Sequence, residues 1–345
     1  MAKLGIIANP RAGQDVRRIY AHCRPVGKEE KADALRRLLA GAGSVGEVEV
    51  YLMPDAMGVA HAAVDGFRRQ VRTNARVHFL DMPVTDAPDD SERAARTMRE
   101  MGVACLITLG GDGTNRAVAR GCGDVPLIPI STGTNNVFPS LAEATVVGVA
   151  GGLIACGRVD PTPHVRRAKQ LNVRRNGEVV DIALVDLAVC RNPFIGSRAI
   201  ADVRDLTEVV VTQGLPTFIG LSAMVGAVMP VRPDDQHGAH LVLGDGGWIV
   251  KAPVLPGVVQ EVAVRSCQPL RPGQQLRLGA VDGTIALDGE RHIMINSADE
   301  ITVELVHAGP RVVDFRGLLY AAASAGLFVV DRNGRDSRSP VPAIS

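Results

Sequence analysis

With 345 residues, 46% apolar and 22% charged side chains and a net charge of +1, the chain has the length of two domains and the composition of a globular protein with a full core. Near-neutral charge argues against a nucleic-acid partner and against a polybasic membrane surface. The six cysteines are far apart in sequence and make no Cys-x-x-Cys pair, which disfavours a zinc or redox centre and fits buried thiols in a reducing cytoplasm.

Lys3 leads straight into an apolar run, so no signal peptide is expected. The longest apolar stretches, Ala144–Cys156 and Leu318–Val330, are too short to span a bilayer and read as core helices. Leu4–Ala8 reads as a strand that ends in the turn-forming run Asn9-Pro10-Arg11-Ala12-Gly13. Lys28–Leu39 has helical spacing with Gly41 as its stop, and Val48–Leu52 is the next strand. Ala56–Val71 reads as a helix, Arg76–Leu80 as a strand, and Asp89-Asp90-Ser91 opens a helix to about Met101, with acids where the helix dipole favours them. Val103–Leu109 is a strand, Thr114–Arg120 a short helix and Val125–Ile130 a further strand, before a helical run from Val137 to about Cys156.

Strands alternating with helices imply a parallel sheet with right-handed crossovers, whose loops at the carboxyl ends share one edge. Three polar or glycine-rich loops follow three of these strands. They are Asn9–Gly13, Gly110-Gly111-Asp112-Gly113-Thr114, and Ser131-Thr132-Gly133-Thr134-Asn135-Asn136. Glycine lets a ligand approach the backbone, and N–H groups at a helix start attract anions, phosphate above all. Asp112 falls where a phosphate or a sugar hydroxyl would reach it, which needs a divalent cation or a proton-transfer role. The plainer reading is a strand-to-helix turn whose Asp caps the next helix. A Walker A loop, a Gly-x-Ser-x-Gly elbow and a His-Glu-x-x-His pair are absent. The Gly-x-Gly-x-x-Gly letters at Gly41–Gly46 follow a helix, the reverse of the dinucleotide context.

From Pro161 the texture changes, and the boundary is placed at Gly157–Pro163. Lys169–Arg175 and Glu178–Val189 flank Asn176-Gly177, a hairpin signal. Asp245-Gly246-Gly247, Asp282-Gly283 and Asp288-Gly289 mark further turns, and Thr217–Met229 is a helix or a glycine-broken strand. Ile301–Leu305 is a strand, Phe315–Val329 a helix-like tail, and the last dozen residues from Gly334 read as disordered. The expected organisation is an α/β Rossmann-like domain over 1–157, an all-β substrate domain over 158–310, and a segment of about 311–330 returning to the first. Asp288-Gly289-Glu290 is either a hairpin turn or a place where Glu290 faces the glycine-rich loops.

The motif Gly110-Gly111-Asp112-Gly113-Thr114, with Asn9-Pro10-x-x-Gly13 before it and Gly133-Thr134-Asn135-Asn136 after it, resembles the superfamily of NAD kinases, diacylglycerol kinases and sphingosine kinases. Gly5–Pro10, Phe194–Ala199 and Leu287-Asp288-Gly289-Glu290-Arg291 resemble its ATP-NAD kinase-like branch called acetoin catabolism protein X. The resemblance implies a Rossmann-like domain and a mainly-β domain with the active site between them. It also implies ATP with Mg2+ or another divalent cation, NAD as acceptor, and a dimer or tetramer. By the same resemblance Asp112 is the base for the acceptor hydroxyl, with Glu290 as a second catalytic acid. Asn9, Gly110, Gly111, Gly113, Thr114, Thr132, Gly133, Thr134, Asn135, Asn136 and Asp186 then bind nucleotide; no metal ligand is assigned. Three departures stand out. Val185 precedes Asp186 where NAD kinases carry Asn before an acid, Glu290 replaces their Gln, and the third loop lacks one glycine of the lipid kinases. A lipid or small-polyol kinase and a non-catalytic nucleotide-binding protein are therefore the alternatives.

Overall fold

The computed structural model describes residues 2–13, 26–70, 74–133, 135–191 and 203–329. The first half alternates β1 (Lys3–Ala8), α1 (Lys28–Gly43), β2 (Val48–Leu52), α2 (Val59–Gln70), β3 (Ala75–Phe79), α3 (Asp89–Glu100), β4 (Cys105–Gly110), α4 (Asp112–Cys122), β5 (Leu127–Ser131) and α5 (Ala144–Ala155). The strands pair in parallel in the order β3-β2-β1-β4-β5. Every residue of β4 and β5 is buried, as expected of strands covered on both faces.

Local chemistry moved several element ends from their expected places. Helix α2 starts at Val59, not Ala56, because the Asp55 carboxylate accepts the amides of Val59 (2.9 Å) and Ala60 (2.8 Å). Helix α1 runs through Gly41 to Gly43. There Gly41 is a packing residue, since a Cβ on it would overlap the Thr145 carbonyl of α5. Helix α5 starts at Ala144, because Val137 and Phe138 give their amides to Asp112 and Ser140 bridges back to β5.

The second half builds β6 (Val165–Arg167), β7 (Gln170–Arg175), β8 (Glu178–Ala183), β9 (Asp186–Cys190), β10 (Leu206–Val211), α6 (Leu221–Val228), β11 (Gly238–Leu255), β12 (Val258–Leu270), β13 (Gln275–Arg277), β14 (Gly283–Leu287), β15 (Glu290–Ile295), β16 (Ile301–Val306), β17 (Arg311–Val313) and α7 (Phe315–Ser324). Two sheets follow, β12-β11-β10-β9-β14-β15 and β13-β16-β7-β8, antiparallel throughout. Asn176 and Gly177 close the β7–β8 hairpin with left-handed φ of 52° and 88°.

Of the two readings left open for Thr217–Met229, the helix is the one found, as α6. Three features differ from the sequence reading. Glu178–Val189 is not one strand, since Leu184 and Val185 carry the chain from one sheet to the other. Asp245-Gly246-Gly247 is a bulge, not a hairpin turn: Leu243 and Trp248 both oppose Val264 within β11. Strand β6, expected in the β domain, pairs antiparallel with β17 and joins the first sheet, whereas β17, in the segment expected to return there, pairs parallel with β5; the first sheet thus has seven strands. Helix α7, capped by Asp314, packs against α5. Among the described residues no helix is long and apolar enough to cross a membrane. The segments Phe194–Ala199 and Gly334 onward lie outside the described residues.

Candidate active site

Strands β1 and β4 are neighbours although β2 and β3 lie between them in sequence, so the strand order reverses there. Open α/β sheets bind ligands at that reversal, beyond the carboxyl ends of the strands. The Asn9 amide donates to Leu109 O (3.1 Å) and its Nδ2 to Thr114 Oγ1 (2.8 Å), which ties the first loop to the second. Behind them Thr108 Oγ1 donates to Asn115 Oδ1 (2.7 Å), fixing the first turn of α4 to its strand. Gly110 is required by close approach, since a Cβ would lie 2.6 Å from Thr114 Cβ and Oγ1, whereas a Cβ on Gly111 would meet only the movable Asn136 Oδ1 at 2.8 Å. The cap residue of α4 is Gly111, which offers no side chain to the first-turn amides.

Asp112 joins the second loop to the third. Its carboxylate accepts the amides of Val137 (3.1 Å) and Phe138 (2.8 Å) instead of capping its own helix. In the third loop Ser131 Oγ accepts from Asn136 Nδ2 (2.7 Å) and Gly133 N (3.2 Å). Thr132 Oγ1 is buried and has no hydrogen-bond partner among the described residues.

The β region supplies the opposite wall. Asp288 and Gly289 form a two-residue turn with φ of 52° and 80°, and the turn delivers Glu290 over the start of α4. Its carboxyl group lies 3.8 Å from where a Gly113 Cβ would be. Asp186 is buried, and its Oδ1 accepts Gly289 N (3.2 Å). Asp288 is the hub beneath them. It accepts the amides of Leu184 (3.0 Å), Val185 (2.8 Å) and Asp186 (3.3 Å), and Arg116 Nε of α4 stands 3.8 Å away. Burial pushes the Asp288 carboxyl up to about 6, against the pull of Arg116 and the amides. Arg116 also pairs with the buried Asp181 (3.5 Å), whose other oxygen accepts from Arg120 Nη1 (3.0 Å).

Between the walls lies a cavity of about 820 Å³. Asn9, Gly111, Asp112, Gly113, Thr114, Asn135, Asn136, Asp186 and Glu290 all line it. Gly110, Thr132 and Gly133 are not part of the lining, and Thr134 lies outside the described residues. Sequence reasoning missed Arg11, Asp86, Arg116, Asp181 and the bracing role of Asp288. Only Asp288 carried a signal, a buried-strand end followed by Asp-Gly. Among the described residues no three His, Cys, Asp or Glu side chains form a metal cage.

The ATP-NAD kinase N-terminal domain family matches residues 4–159, and the acetoin catabolism protein X C-terminal domain family matches residues 169–308. The chain is 39% identical over 321 residues to acetoin catabolism protein X of Cupriavidus necator, covering 90% of this chain and 89% of that protein. A GGDGT loop at the sheet reversal, an LDGE turn opposite it and this end-to-end similarity agree, and the chain belongs to the acetoin catabolism protein X family, with an NAD kinase-like N-terminal domain.

Proposed function

We propose that the chain is an ATP-dependent phosphotransferase that moves the terminal phosphoryl group of ATP to an alcohol, with NAD or a related nucleotide as the acceptor. The observation that carries this reading is the uncapped start of α4, opening into one cavity with Asp112 on its near wall and Glu290 on its far wall. First-turn amides without a side-chain cap fit a phosphate, and the helix dipole favours its charge. Phosphoryl transfer asks the protein mainly for positioning and charge neutralisation.

The residues fit a nucleotide-borne cation better than a resident one. Magnesium is commonly held by one or two carboxylates and the substrate's own phosphates. The Glu290 carboxylate has no hydrogen bond or ion pair among the described residues, and it is the group that would hold the ion. When bound, the cation neutralises charge on the phosphates. Asp112 is anchored by two amides, which aim it into the cavity. It accepts the proton of the acceptor hydroxyl while the new O–P bond forms and ADP leaves.

The test is ADP and NADP formation from ATP, magnesium and NAD by the wild type and by Asp112→Asn. Loss of general-base help lowers the rate by roughly 100-fold or more. Equal rates in both proteins sink the assignment of Asp112. One observation favours a second reading: Val185 is fully buried and its amide is taken by Asp288, so it offers a nucleoside no hydrogen bond. ADP release with a lipid or small polyol, and none with NAD, is the outcome that reading expects.

A further inference from the structure

Seven carboxylates line the cavity and, among the described residues, only one cation, Arg11. Arg11 follows Asn9-Pro10 at the end of β1. Its amide donates to Asn9 Oδ1 (2.9 Å), so the backbone is set by the residue that also ties down Thr114. The guanidinium is clasped by both oxygens of Asp86, Nε to Oδ1 at 3.0 Å and Nη2 to Oδ2. Asp86 is itself placed deliberately. The Asp90 carboxylate at the start of α3, almost fully buried, accepts the amides of Thr85 (3.0 Å) and Asp86 (2.8 Å) and the Thr85 hydroxyl (2.7 Å). This holds Asp86 at a left-handed φ of 59°. The Arg11 side chain is 63% exposed, and an ion pair so exposed is weak and exchangeable. A polyphosphate offers more negative charge and the same two-oxygen contact, which guanidinium groups prefer.

We propose that Arg11 is a catalytic residue that clamps the donor's terminal phosphates, and that Asp86 holds it at the cavity rim until a polyphosphate displaces it. The proposal rests on the phosphotransferase reading and adds a donor-side contact to it. Asp86 is the positioning residue. It competes with the phosphate for the same guanidinium.

Calorimetric titration with inorganic tripolyphosphate and with ATP, both with magnesium, tests it on the full chain. Arg11→Met is expected to weaken tripolyphosphate binding by about tenfold or more, the scale of a lost charge-assisted pair. Asp86→Asn is expected to tighten it. The double variant is expected to bind like Arg11→Met alone, because Asp86 acts only through Arg11. Unchanged binding by Arg11→Met overturns the proposal, as does weaker binding by Asp86→Asn. Equal tightening by Asp86→Asn in the Arg11→Met background also overturns it, since Asp86 would then be bulk negative charge. Wild-type binding or turnover that is indifferent to Arg11 leaves the phosphotransferase reading standing while this inference falls. A wild type that binds neither tripolyphosphate nor ATP removes both.

Discussion

A carboxylate with no exposed surface survives in a core only when its lone pairs are filled. Asp288 fills them with three backbone amides and faces the Arg116 guanidinium. Burial still wins, and its pKa stands at about 6, above the value near 4 of an unfolded Asp. The folded state therefore holds this proton more tightly than the unfolded state does. Stability from this group is full below about pH 4 and is lost as pH rises through about 6, with no further change above. Asp288→Asn cannot titrate, so the wild type should lose stability relative to that variant between pH 4 and 6 and run parallel to it from pH 7 upward. Urea unfolding of both proteins at pH 4.5, 6 and 8 measures this. Parallel curves throughout would mean that Asp288 is ionised over the whole range.

At the scale of elements, α1 and α5 meet through glycine. A Cβ on Gly148 would overlap the Leu38 carbonyl, and one on Gly152 would lie 2.5 Å from Ala42 O. Both obstacles are backbone, which cannot swing aside. Alanine in place of a helical glycine gains about 1 kcal/mol of propensity. Overpacking a tight contact costs about 1–3 kcal/mol, and with a backbone obstacle the higher figure applies. Gly148→Ala should therefore destabilise the protein by more than Gly27→Ala, which has nothing within 4 Å and loses only the preference for Gly over Ala at the cap of α1, under about 1 kcal/mol. Thermal melts of the two variants decide it, and a Gly148→Ala protein that melts above the wild type would refute the packing argument. The same contact shows what one sequence can and cannot tell. Strands β1, β2 and β4 and helix α3 were legible because apolar runs and first-turn acids are local signals. Gly41 was misread as a helix stop because a packing glycine and a terminating glycine are the same letter. The β8–β9 break was hidden for a related reason: its cause, Asp288, lies far along the chain. The three loops of the site were legible, since each is contiguous and follows its strand. Their convergence followed from parallel topology, whereas the Arg116–Asp288 and Arg11–Asp86 contacts came only from the fold.

Across the whole molecule, the two halves are joined by more than a linker. Strands β6 and β17 extend the first sheet from both ends of the β region. Ala168, Leu184, Val185 and Val312 share one apolar cluster with Ile7, Leu106 and Leu127. Over that cluster Arg116 and Arg120 of α4 pair with Asp181 and Asp288. Helix α4 is thus fastened to the wall that carries Glu290, and the two sides of the cavity hold a fixed register. Two probes report on the halves separately. Trp248, the single tryptophan, lies in β11, while α6 is the only α-helix of the β region among the described residues, so helical circular dichroism reports mainly on the other half. We expect fluorescence and dichroism to give one coincident unfolding transition, as a single cooperative unit requires. Arg116→Met should lower the midpoint of both probes together, because it leaves buried carboxylates short of a partner at a cost of about 3–5 kcal/mol. Transitions already separate in the wild type would show that the shared sheet and cluster do not couple the halves. If they separate only in Arg116→Met, the ion pairs are what couples them, and the register of Glu290 over α4 depends on Arg116 as much as on the sheet.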